Sequence, residues 1–193
     1  MFPLVVDLRS RRVLVIGAGR VGAHKVSQLL AAGARVTVIT EEVLSAIAPE
    51  IESMVRRPYQ YGDLDGAFLV VAATGDETVN DLIVEEARER NILLNVVDDA
   101  GRSNFFFTAV HRDGDVVVSV STEGSSPALA QWVRNAVALA LPKNLAAVAR
   151  QLRKERDALH SSGTSTENLE WMSRVEELIH ENEGSSISNA STR

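Results

Sequence analysis

Gly17, Gly19 and Gly22 stand at the spacing Gly-x-Gly-x-x-Gly directly after the apolar run Val13–Ile16. That arrangement suits the grip of a pyrophosphate. Gly17 permits a tight turn, Gly19 lets the backbone approach the phosphates, and Gly22 lets a following helix pack closely on its strand. Ala18, Arg20 and Val21 complete the loop, and the helix that opens there offers free N–H groups and a positive dipole end. The plain alternative is that the glycines serve only a tight strand–helix turn. A dinucleotide site also needs an acidic residue about 20 positions on to accept the adenosine ribose hydroxyls. Glu41 stands 19 residues after Gly22, and its carboxylate favours NAD over NADP by repelling a 2′-phosphate. Thr40 is the other occupant of that position, and Arg35 is close by in sequence.

Asp98 is the second chemical candidate, at the end of the run Leu93–Val97. A carboxylate there would accept a proton while a neighbouring cofactor takes a hydride; the other reading is a turn-forming Asp that ends a strand. Asp99 reads as the solvated turn residue. The third candidate is Ser125-Ser126-Pro127, where hydroxyls from Ser121, Thr122, Ser125 and Ser126 beside a helix start suit a carboxylate or phosphate; an ordinary capped helix is the alternative. Lys25 either faces the crevice or is solvated. The four histidines show no ligand spacing and there is no cysteine, so no metal site, disulfide or thiol nucleophile is expected.

The elements that must position these groups alternate. Strands are expected at Val13–Ile16, Arg35–Thr40, near Tyr59–Tyr61, at Phe68–Thr74 and at Leu93–Val97. Helices are expected at Val21–Ala32, Glu42–Met54 (with Pro49 inside) and Glu77–Arg90. This alternation predicts an α/β fold, a Rossmann-type parallel sheet with helices on both faces. The pattern then changes to a hairpin, Phe105–Val110 and Asp115–Val120 around Asp113-Gly114. A helix follows from Ser126, with Pro127 at its first position. Pro142 ends it. Helices at Leu145–Leu159 and Glu167–Asn182 flank the linker Ser161–Thr166, and the polar tail Gly184–Arg193 is expected to be disordered.

The 193 residues, 45% apolar and 24% charged with net charge −6, fit a globular chain. The acidic balance argues against a general nucleic-acid binder. The apolar run Ala67–Ala73 is far short of the ~20 residues of a membrane span, and the N-terminus has no signal pattern, so a cytoplasmic chain is expected. Between Arg102 and Arg156, however, eight Lys or Arg face four Asp or Glu. Either this is ordinary surface or it is a basic wall for an anionic ligand.

Together, Val13–Gly22 with Lys25, Ala72-Ala73-Thr74-Gly75-Asp76, Asn95-Val96-Val97-Asp98 and Ser119–Ala130 resemble the precorrin-2 dehydrogenase family, which includes the N-terminal half of bifunctional siroheme synthases. The resemblance runs from about Leu8 to Leu141. It implies oxidation of precorrin-2 to sirohydrochlorin with NAD, ferrous-iron insertion in some members, and a homodimer. It ties catalysis to Asp98 and adds Thr74 to the cofactor residues. It makes Arg102, Arg134 and Lys143, with the serine-rich loop, candidates for the substrate carboxylates. The implied organisation is an NAD-binding domain over 1–112, a dimerisation segment over 113–142, a helical domain over 143–183 and the tail 184–193. Three departures stand out: Glu123-Gly124 replaces a Gly-Gly pair, Asp99-Ala100-Gly101 displaces a proline, and Thr108 replaces another. The residues after Leu141 are not expected to form a methyltransferase domain. The rival classes are a non-catalytic NAD-sensing regulatory module and a scaffold partner that has lost catalysis.

Overall fold

The computed structural model describes residues 1–43, 45–165 and 170–188. They form two compact units, Met1–Phe106 and Phe107–Arg193. In the first, β1 (Arg12–Ala18), β2 (Arg35–Val43), β3 (Ser53–Arg56), β4 (Leu69–Ala72) and β5 (Leu93–Val96) make a parallel sheet in the order β3-β2-β1-β4-β5. Val13, Leu14 and Val15 of the central strand are wholly buried, as are Val36, Val38, Val70 and Val71 on its neighbours. Near-continuous branched apolar runs are what a sheet covered on both faces requires. The crossover β1–α1–β2 moves one way along the sheet and β4–α2–β5 the other, so right-handed connections place α1 (Arg20–Ala31) and α2 (Glu77–Glu89) on opposite faces. The order reverses between β1 and β4, where ligands of open α/β sheets collect.

Each helix is tied down by its own chemistry. Helix α1 buries Gly22, Val26 and Leu29. Asp76 caps α2 by accepting from the N–H groups of Thr78 and Val79 at 2.9 and 3.2 Å. On its inner face Glu86, wholly buried, accepts from the Tyr59 hydroxyl and from Gly62 N–H at 2.9 Å, and forms an ion pair with Arg90 Nε at 2.8 Å. Burial, and then the Glu86 carboxylate, push the Tyr59 phenol well above its ordinary value. The outer edge of β5 is covered by side chains. Asn104 Oδ1 accepts from Leu94 N–H at 2.7 Å and Ser103 Oγ from Val96 N–H at 3.0 Å.

Two segments of this unit differ from the expected elements. No helix spans 42–54 among the described residues: β2 runs on to Val43, and Ser53–Arg56 forms β3 against β2, pairing Thr37–Ser53 through Thr40–Arg56. Pro49 and the β-branched Ile51 and Val55 suit extended chain, and the parallel partner decides it. The strand expected near Tyr59–Tyr61 is instead a run of turns that sends Tyr59 and Leu64 into the core.

In the second unit, β6 (Ala109–Asp113) and β7 (Val116–Val120) pair antiparallel around Gly114-Asp115, with Gly114 at φ 57°. Helix α3 (Pro127–Ala140) packs on both strands, followed by α4 (Leu145–Ser161) and α5 (Trp171–Ser188). Asp113 Oδ2 accepts from Ala146 N–H at 3.0 Å, and Arg174 pairs with Glu155 at 2.9 Å. The division falls ahead of the hairpin, whereas the expected border at 112 would cut through it. Helix α5 continues past Gly184 to Ser188. The expected start of that helix at Glu167, the end of the linker at Thr166 and residues 189–193 of the tail lie outside the described residues. No helix among the described residues is long and apolar enough to cross a membrane.

Candidate functional site

The carboxyl edge of the sheet in the first unit holds a cleft of about 490 Å³. Gly17, Ala18 and Gly19 line one side, Thr40, Glu41 and Glu42 the end of β2, and Thr74, Gly75 and Asp76 the chain after β4. The glycines divide the work as their spacing suggests. Gly17 has φ 101°, and a Cβ there would meet the carbonyl oxygen of Ala73 at 2.5 Å. Gly22 abuts Gly17 and the Ala73 methyl. Gly19 differs from both: a Cβ on it would have nothing within 4 Å, so the missing side chain leaves open space at the head of α1. Gly19 is also the N-cap of α1 and makes no side-chain cap bond. The first-turn N–H groups of Arg20, Val21 and Gly22 therefore have no side-chain acceptor, the condition a pyrophosphate exploits. These residues fit a dinucleotide.

Thr40 and Glu41 separate in the structure. The Thr40 hydroxyl is buried and donates to the Glu42 carbonyl at 2.6 Å, while Glu41 is exposed at the cleft. Thr74 is fixed from two sides, its Oγ1 accepting from Asp76 N–H at 2.9 Å and its carbonyl from Asn80 Nδ2 at 3.3 Å.

Asp98 follows β5 on the same edge of the sheet. Its exposed residue sits at φ 61°, in the left-handed region that Asp tolerates better than most residues. Val97 N–H donates to Ala72 O at 2.9 Å and Asp99 N–H to Val96 O at 3.2 Å, so the turn is pinned on both sides of Asp98. Lys25 lies one helical turn after Gly22, half-buried. Burial lowers its ammonium below the ordinary value, and the Asp98 carboxylate acts in the opposite direction. Asp99 is a turn residue but not a solvated one: its carboxylate accepts from Arg102 N–H at 3.1 Å and pairs with Arg102 Nε at 3.0 Å.

The substrate candidates are dispersed. Arg102 belongs to the first unit and is held by Glu77 at 2.7 Å, Asp81 at 3.2 Å and Asp99. Its guanidinium is already engaged. Arg134, Lys143 and the serine-rich loop belong to the second unit. Arg134 Nη1 donates to Val110 O at 3.3 Å, and Lys143 is exposed beyond α3. In the loop, Ser126 Oγ caps α3 by accepting from Leu129 N–H at 3.2 Å. Thr122 Oγ1 accepts from Ser126 N–H at 3.1 Å, and Ser121 Oγ accepts from Glu123 N–H at 3.1 Å. Ser126 thus caps the helix start. Glu123 and Gly124 both have positive φ, 53° and 84°, which is why a Gly-Gly pair suits this turn and why Glu123 is strained in it.

A family model described as "Putative NAD(P)-binding" matches residues 4–109. The chain belongs to this NAD(P)-binding family. Its cofactor is accordingly a nicotinamide dinucleotide, NAD or NADP, and the matched segment is the unit that carries the glycine loop and Asp98. The chain is 36% identical over 175 residues to the siroheme synthase of Photorhabdus laumondii, covering 84% of this chain and 36% of that one. To the siroheme synthase of Buchnera aphidicola it is 34% identical over 184 residues, covering 92% and 38%. The chain spans about a third of the length of the curated relatives it matches. A solved structure titled SirC, precorrin-2 dehydrogenase, superposes with a TM-score of 0.67 over 94% of this chain and 88% of that one, at 24% identity. That likeness establishes the fold.

Arg57, Pro58 and Tyr59 also line the cleft, and the sequence reading missed them. The signal was the apolar pair Met54-Val55 shortly ahead of Arg57-Pro58, which marks a short strand followed by a turn.

Proposed function

We propose that the chain is an NAD-dependent dehydrogenase that oxidises precorrin-2 to sirohydrochlorin in siroheme formation. The observation that carries this reading is Asp98. Its carboxylate is presented by a pinned, left-handed turn on the sheet edge that bears the glycine loop. The names borne by the relatives, siroheme synthase and precorrin-2 dehydrogenase, support the choice of substrate.

Bound NAD supplies the acceptor for a hydride. The chain supplies everything else. The amides of Gly17–Gly22 hold the pyrophosphate, and Glu41 accepts from the ribose hydroxyls. Asp98 takes the proton that leaves the ring when the hydride departs, and Lys25 stands within electrostatic reach of that carboxylate. If iron is inserted into the product, Asp98 is also the acceptor for the pyrrole protons. The serine-rich loop, Arg134 and Lys143 are the proposed partners of the substrate carboxylates, Arg102 joining them only by exchanging its present acids.

A homodimer belongs to the same reading. The hairpin and α3 leave Trp132 68% and Leu139 90% exposed, with Leu129 and Val110 also exposed, and a second copy would cover these side chains. Purified protein incubated with precorrin-2 and NAD tests the reading. It is expected to form the sirohydrochlorin absorbance together with NADH; NAD binding without turnover would defeat the dehydrogenase assignment.

A further inference from the structure

We propose that the Arg57–Asp63 ion pair decides between NAD and NADP by holding a guanidinium out of reach of the adenosine ribose. The proposal rests on the cofactor reading above and goes beyond it. Parallel pairing of Thr40 with Arg56 is the last of the β2–β3 ladder, and Glu41 and Arg57 are the residues that follow these two in the chain. Both line the cleft, with Glu42. A guanidinium beside a ribose site is the natural partner of a 2′-phosphate, because its planar fork matches phosphate oxygens.

Here the fork is closed on another anion. Arg57 Nη1 donates to Asp63 Oδ2 at 2.7 Å and Nη2 to Asp63 Oδ1 at 2.6 Å, and Nη1 also reaches the Pro58 carbonyl at 2.8 Å. Asp63 is itself fixed by Gln60 N–H at 2.8 Å, and its side chain is only 14% exposed. The pair holds the Asp63 carboxyl below its ordinary range and the Arg57 guanidinium above its own. With Arg57 neutralised by a bidentate partner, Glu41 and Glu42 set the sign of the charge at the ribose end, and that sign repels a 2′-phosphate.

Titration of the full chain with NAD and with NADP, read by calorimetry, tests this without turnover. Asp63→Asn keeps the size and the oxygen that Gln60 N–H shares with Arg57 Nη1, but removes the negative charge and the acceptor of Arg57 Nη2, so the hold on the guanidinium is loosened. It is expected to tighten NADP binding about tenfold or more, the scale of one charge-assisted bond to phosphate, with NAD changed by less than about threefold. The gain should vanish in Asp63→Asn/Arg57→Gln. Arg57→Gln alone, a substitution at a one-third-exposed side chain that does not depend on Asp63→Asn folding, should leave NADP binding as weak as before. The latch is overturned if Asp63→Asn leaves the NADP-to-NAD ratio unchanged, if its gain survives loss of Arg57, or if Arg57→Gln alone weakens NADP tenfold. A wild-type chain that bound neither dinucleotide would remove the cofactor site and the latch with it, which separates that failure from the others.

Discussion

Gly22 packs directly on Gly17: a Cβ added to Gly22 would overlap the Gly17 carbonyl oxygen, and neither backbone has room to yield. The turn that presents the cofactor loop and the seating of α1 on the sheet are therefore one contact. Gly19, between them in sequence, touches nothing in that direction.

The two glycines should accordingly fail in different ways. Gly22→Ala is expected to destabilise the chain by about 1–3 kcal/mol, as overpacking does, read as a lower denaturation midpoint. Gly19→Val should melt near the wild type yet lose NAD binding, because its side chain would stand where the pyrophosphate lies. Equal loss of stability in both variants would contradict this division.

Asp98→Asn should fold and bind NAD but oxidise precorrin-2 at least about a hundredfold more slowly, since the amide cannot accept the ring proton. The same variant should lower the Lys25 pKa further. Burial already depresses it, and the Asp98 carboxylate is the influence that raises it. Titration of the Lys25 ammonium by NMR checks the sign; an unchanged value would place the two groups out of electrostatic reach.

Asp63 gives the chain an acid-range dependence. Its carboxyl is held below the ordinary value by the Arg57 hydrogen bonds, against a smaller opposing effect of burial. It therefore binds its proton less readily folded than unfolded. The stabilisation is complete above the unfolded value of about 3.9 and is lost as pH falls through the lower folded value. For a pair one-third exposed on the arginine side, about 1 kcal/mol is the expected scale. Urea midpoints compared at pH 6 and pH 3 should fall less in Asp63→Asn than in the wild type.

Trp132→Glu should convert a dimer to a monomer at micromolar concentration without unfolding either unit, because the indole is mostly exposed in the single chain. Sedimentation that shows a wild-type monomer would remove the dimer and the reason for this prediction.

The strand–loop–helix from Arg12 to Ala31, the helix from Glu77, the start of α3 at Ser126 and the strand ending before Asp98 were all legible in the residues. Each depends on neighbours in sequence: a glycine spacing, an apolar helical period, a Ser three residues before a free N–H group, a branched run stopped by polar residues. The segment from Glu42 to Tyr61 was not. Its helical reading was locally reasonable, and what overrode it was β2, which offers Ser53–Arg56 a parallel ladder that no local pattern announces. The pairing of Arg57 with Asp63, the burial of Glu86 and the approach of Lys25 to Asp98 likewise join residues from different turns or elements. A sequence names the groups able to do chemistry at the carboxyl edge of the sheet. Which of them are spent on each other, as Arg57 and Arg102 are, and which remain turned to the cleft, as Glu41 is, depends on packing between distant segments, and only the tertiary structure decides it.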